Sequence, residues 1–181
     1  MVRFYASEYR EKVKNLIVLL LPMIASELSI FGMNFFDASM SGQAGPVELA
    51  GTAMAGNIWM ALNAGMGTAL MAGTPIISQL FGAKKFDEIS KVVQQGLFIA
   101  TFFALIVIFL FIFAAPPFYD YLQLESDVKY VSVWYGIMIG IGVLPFFWIS
   151  PLRSLLDSMG YEDYTMKTFL SIIPFHVVLN Y

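Results

Sequence analysis

The chain has 181 residues, of which 59% are apolar and only 13% are charged, where a soluble domain carries about 25% charge. That deficit excludes a globule with an ordinary aqueous surface, and the wealth of Phe, Leu and Ile excludes a disordered chain. A net charge of −3 excludes a basic nucleic-acid-binding face, the lack of Cys excludes disulfides and thiolate chemistry, and the single His excludes a His-based metal cluster within this chain.

In chain order, the charges fall in short clusters separated by apolar stretches. Arg3, Arg10, Lys12 and Lys14 precede a first segment, about 16–40, which carries Glu27 and Asp37 in its interior. Phe4, Tyr5 and Tyr9 suit an interfacial lead-in. The segment is too long for a secretory signal, and its two acids do not fit one. Pro22 removes a backbone donor and predicts a bend.

A second segment, about 49–82, lies in a run without charge between Glu48 and Lys84, is rich in Gly and Ala, and is interrupted by Pro75. Small residues allow helices to pack closely. Lys84, Lys85 and Lys91 follow. The third segment, about 92–117, lies in an uncharged run from 92 to 119 and is apolar all round. Its length rules against a buried strand, and no alternation supports a transmembrane β-barrel. The fourth, about 129–151, lies in an uncharged run from 130 to 152 and holds the formal GxxxG pair Gly136 and Gly140. A membrane-spanning helix needs about 20 apolar residues, because backbone groups in lipid must bond within the segment.

A fifth segment, about 166–181, runs to Tyr181. The residues after Lys167 span about 21 Å as a helix, short of about 30 Å of hydrocarbon. This reads as the N-terminal piece of a longer protein; the alternative is four spans with a re-entrant tail. The expected fold is all-α, a polytopic transmembrane helix bundle in a lipid bilayer.

Nine of the ten basic residues fall on one side of this topology, Lys129 being the exception. The positive-inside rule makes that side, with the N-terminus, cytoplasmic in a multi-pass cell-membrane protein.

Intramembrane acids are costly and usually face a bundle interior or a water-filled cavity. Asp37 is therefore the first candidate site residue, as a cation or proton site or as an interfacial acid beside Ser39 and Ser41. Glu27 lies about 80° around the helix from Asp37, so the two do not share one face. It is either a second protonatable group or a protonated acid bonded to a neighbouring helix, and it is a candidate cavity-lining residue. Asn34 and Asn57 are further candidate cavity-lining residues. His176 and Asn180 are spaced i, i+4 and stack on one face, as a cavity wall or as packing residues. No Walker or dinucleotide motif is present, so no cofactor is expected, and no metal beyond sodium at Asp37.

Several separated motifs carry a resemblance. Pro22, Gly32-Met-Asn-Phe-Phe-Asp37-Ala-Ser-Met-Ser-Gly42 and Glu48-Leu-Ala-Gly51 are followed by Thr74-Pro-Ile-Ile-Ser-Gln79-Leu-Phe-Gly82-Ala83, Gln94-Gln95-Gly96 and Leu152-Arg153-Ser-Leu-Leu-Asp-Ser-Met-Gly160. In this order, over the whole chain, they resemble the multidrug and toxin extrusion (MATE) transporters, the NorM-like branch in particular. The resemblance implies twelve helices in two lobes, of which this chain would supply four helices and part of a fifth. It implies alternating access, exchanging cationic or amphiphilic drug-like compounds for protons or sodium, with the remaining C-terminal part of the protein as partner. It places the family's first-helix acid on Asp37 and the polar pair of its fifth helix on His176 and Asn180. The His departs from the family's usual residue, and sodium prefers oxygen ligands. The protein is then no enzyme. The alternatives are a lipid-linked saccharide flippase of the same superfamily, for which basic residues in the spans are missing, a membrane-embedded enzyme, and an assembly subunit.

Overall fold

The computed structural model describes residues 2–180, with the side chains of 11–175 and 178 apart from 15 and 19. Among the described residues every regular element is helical. They are α1 (Val2–Ala44), α2 (Pro46–Leu70), α3 (Gly73–Gly82), α4 (Phe86–Phe109), a single π-turn (Leu110–Ala114), α5 (Ala115–Tyr121), α6 (Ser126–Ser158) and α7 (Glu162–Asn180). Four stretches are long and apolar enough to cross a membrane: Glu11–Ala44, Pro46–Gly82, Phe86–Tyr121 and Ser126–Ser158.

The second of these comes as two helices where the sequence suggests one. Pro75 has no N–H for the carbonyl of Met71, so Thr74 N donates there instead, at 3.0 Å, and the chain turns at Met71 and Ala72. The third continues beyond the expected end at 117, because Pro116 and Pro117 occupy the first turn of α5, where a missing N–H is tolerated. The expected fifth segment falls within α7; Tyr181 lies outside the described residues.

The chain divides into two units, residues 1–37 with 160–181, and Ala38–Met159. In the second unit α6 is the central element and packs against α2, α3, α4, the π-turn and α5. Its buried positions, Ser132, Gly136, Gly140, Val143, Phe147, Pro151 and Ser154, follow each other at steps of three and four, one continuous helical stripe. Small residues on it admit neighbours closely. A Cβ added at Gly136 would lie 2.5 Å from Phe111 Cδ1, and one at Gly51 of α2 would lie 2.6 Å from Val131 Cβ. The GxxxG pair is thus a packing seam against the third span, with Ile108 beside Gly140.

Hydroxyls tie the same helices together. Ser132 Oγ donates to Gly51 O at 3.0 Å. Thr74 Oγ1 donates to Ser154 Oγ at 2.9 Å, and Ser158 Oγ to Thr74 O at 2.9 Å, fastening the start of α3 to α6. Trp148 Nε1 donates to Thr101 Oγ1 at 3.0 Å, joining α6 to α4.

Along the third span the buried face runs Ala100, Ala104, Val107, Phe111, Ala115, Tyr119. Twelve residues of ideal α-helix from Val107 to Tyr119 would turn Tyr119 about 120° off that face; the extra residue of the π-turn absorbs about 100° and brings it back.

Candidate functional site

The first-span candidates lie on α1, in the unit formed by residues 1–37 and 160–181. Pro22, Ser26 and Ser29 are buried there, with Ser26 1% and Ser29 3% exposed. Their spacing of four and three residues defines one face. Asp37 lies eleven residues after Ser26, about 20° around the helix from it. It is half-buried and continues the shielded stripe through Met33.

The hydroxyls of this stripe turn onto their own helix. Ser26 Oγ donates to Pro22 O at 2.9 Å and Ser29 Oγ to Ala25 O at 2.7 Å. Such back-bonding satisfies a buried hydroxyl within its own helix, and the acceptor of Ser26 is the carbonyl of Pro22.

Glu27 and Asn34 are both exposed. They are seven residues apart, so they share a face, from which Asp37 lies about 60–80° around the helix. Asn34 is three residues before Asp37 and neighbours it around the helix. Glu27 is separated from Asp37 by about 15 Å along the axis. Asn57 lies on α2, in the other unit, and is exposed. His176 and Asn180 both fall in α7, in the same unit as Asp37, but their side chains lie outside the described residues.

Among the described residues no three His, Cys, Asp or Glu side chains gather as ligands for a metal ion.

Three features escaped the sequence reading. The Thr74–Ser154–Ser158 hydroxyl cluster spans two segments distant in sequence. The aromatic cluster of Trp59 with Phe146 and Phe147, at centroid distances of 5.3 and 5.7 Å, joins α2 to α6. The π-turn had a usable signal in the adjacent prolines 116 and 117.

These long apolar helices, with an acid held inside one of them, define a multi-pass α-helical membrane protein. The MatE family model matches residues 22–181. The chain belongs to the MatE family. It is 35% identical over 175 residues to the probable multidrug resistance protein NorM of Bacillus cereus (strain ATCC 10987 / NRS 248), covering 97% of this chain and 38% of that protein. It is 33% identical over 178 residues to the protein of the same name from Oceanobacillus iheyensis, covering 98% and 40%. Against that of Listeria innocua it is 36% identical over 173 residues, covering 96% and 38%. The chain thus spans about two fifths of the length of these relatives. No solved structure matches it.

Proposed function

We propose that the chain is the N-terminal part of a secondary active antiporter that exports cationic or amphiphilic drug-like compounds in exchange for protons or sodium. The observation that carries this reading is Asp37, an acid within a helix long and apolar enough to cross a membrane, half-buried on the stripe of α1 that Ser26 and Ser29 begin. Membership of a family whose relatives are named multidrug resistance proteins supports it.

Asp37 binds the coupling cation from one side of the membrane and releases it to the other. Each elementary charge carried across 100 mV supplies about 2.3 kcal/mol, enough to concentrate a substrate tens-fold. His176 and Asn180 complete the polar wall, with Asn180 the oxygen ligand of that pair. The spans lack the basic residues that a lipid-linked saccharide with its phosphates would call for. The cluster of Lys84, Lys85 and Lys91 supports a cytoplasmic α3–α4 connection and a cytoplasmic N-terminus by the positive-inside rule.

The test of coupling is Asp37→Asn in the protein expressed in cells. Asn keeps size and hydrogen bonding but cannot change charge. Efflux driven by an imposed ion gradient is expected to fall to background at unchanged protein level; wild-type efflux would remove Asp37 from the mechanism. Orientation is checked with an impermeant thiol reagent on intact cells. It should label Ala44→Cys and spare Lys84→Cys, and the reverse pattern would invert the topology.

A further inference from the structure

Where the third span begins and the fourth ends, a groove of about 350 Å³ opens between them. That volume is in the range of ordinary ligand sites, roughly 300–1,000 Å³. Ile89 and Val93 of α4, Leu155 of α6 and Met159 just beyond it give the groove apolar walls. Phe86, Ser90 and Gln94, four residues apart, stack as a second row of α4 along it. Ser90 and Gln94 are exposed, and neither side chain has a hydrogen-bond partner among the described residues.

A charged cleft adjoins the groove at the start of α4. Phe86 lines both, and Lys84, Lys85, Asp87 and Glu88 make the rest of the cleft. Lys85 Nζ lies 3.0 Å from Glu88 Oε1, which neutralises that pair. Lys84 and Asp87 have no ion-pair partner among the described residues, so the cleft is left with one cation and one anion. Lys84 also holds a left-handed backbone, φ 58°, at a position where helix endings favour Gly. Gly would close this turn with less strain, and what Lys adds is an ammonium in the cleft. The run without charge begins at residue 92, so the cleft lies at headgroup level and the groove leads into hydrocarbon.

We infer that this groove and cleft bind a phosphatidylethanolamine of the bilayer, its phosphate on Lys84, its ammonium on Asp87 and an acyl chain against Ile89, Val93 and Leu155. The charge pattern selects the headgroup. A phosphate calls for a cation, and an ammonium with N–H donors calls for a carboxylate. An anionic phosphatidylglycerol would leave Asp87 unmet and be repelled by it. Phosphatidylcholine carries the same two charges, but its ammonium has no N–H to give the carboxylate. The ester carbonyls, next below the phosphate, accept from Ser90 and Gln94, about 6 and 12 Å along the helix from Phe86. The lining thus runs from ions to hydrogen-bond donors beside apolar residues, as a phospholipid runs from headgroup to chain. None of these residues belongs to the unit that carries Asp37, so the test needs no transport.

The experiment uses the full-length protein reconstituted into phosphatidylcholine vesicles with a trace of phosphatidylethanolamine carrying a chain diazirine. Photolabelling is expected to saturate and to map to residues 86–94 and 155–159. A phosphatidylcholine probe with the same chain should label there about tenfold less, the worth of one hydrogen bond to a charged group. Unlabelled phosphatidylethanolamine should displace the probe at about a tenth of the mole fraction that phosphatidylglycerol needs. Asp87→Asn should bring the two probes level, Lys84→Gln should weaken both, and Leu155→Trp, which fills the groove, should abolish saturable labelling. Lys91→Gln alters an exposed lysine outside the cleft and should change nothing. Helical content by circular dichroism confirms folding, and any one folded variant of the first three suffices for the test. Equal labelling by the two probes, displacement by phosphatidylglycerol as readily as by phosphatidylethanolamine, wild-type labelling in a folded variant of the first three, or lost preference in Lys91→Gln would each overturn the proposal.

Discussion

α1 and α6 are both long helices with internal proline, and both bury serine, yet they use it differently. In α6, Ser132 and Ser154 bond across to Gly51 and Thr74 of other helices, Ser132 Oγ lying also 2.8 Å from Val128 O of its own helix. In α1, Ser26 and Ser29 bond back to carbonyls four residues earlier in the same helix. The glycines differ as well. Gly136 and Gly51 have neighbours where a Cβ would sit, while Gly32 of α1 has nothing within 4 Å. One helix spends its polar and small residues on fastening itself to neighbours. The other satisfies its hydroxyls internally and carries an acid on the same stripe. In a lipid-phase fold, that contrast separates a framework helix from a helix free to carry a working group.

The comparison can be broken most sharply at Asp37. The Asp37→Asn protein that has lost coupled efflux should unfold at the wild-type temperature in detergent micelles, because Asn keeps the size of the acid and its capacity to hydrogen-bond. A lowered melting temperature would make Asp37 a structural residue. Next in size is Gly136→Leu, which drives a side chain into Phe111 and should cost about 3 kcal/mol. Gly32→Ala, with open space around it, should be neutral or slightly stabilising. Thermal unfolding of both variants checks the pair, and equal costs would erase the distinction between the helices.

The smallest effect separates the serines. Ser132→Ala removes a bond between helices and should cost about 0.6–1.7 kcal/mol, the range for polar contacts between membrane helices. Ser26→Ala removes only a local bond and should cost less than about 0.5 kcal/mol. Steric-trap or denaturant unfolding in micelles measures the difference, and a larger cost for Ser26 would mean that α1 is also a framework element.

Much of this was legible in the residues. The spans could be read because charge cannot lie cheaply in hydrocarbon, so the uncharged runs after Glu48, Lys91 and Lys129 mark them without reference to packing. Asp37 stood out for the same reason, and Pro75 announced an interruption of the second span. The break itself, at Met71 and Ala72, lies one turn before the proline, since it is the carbonyl four residues back that loses its donor.

What composition could not reveal is which face of an all-apolar helix turns inward. In lipid both faces read alike, and nothing in the order of apolar residues distinguishes Phe111, packed on Gly136, from the exposed Phe113. Serine is equally mute, since Ser26 and Ser132 each have a carbonyl four residues back as acceptor and Ser132 adds one on another helix. The sequence by itself determined where this protein crosses the membrane and which acid it places there, because those follow from the solvation of single residues. Only the tertiary structure decided which small and hydroxylated residues fasten the helices, where the third span widens into a π-turn and which groove opens between its start and the end of the fourth, because those depend on close approach between residues far apart in the chain.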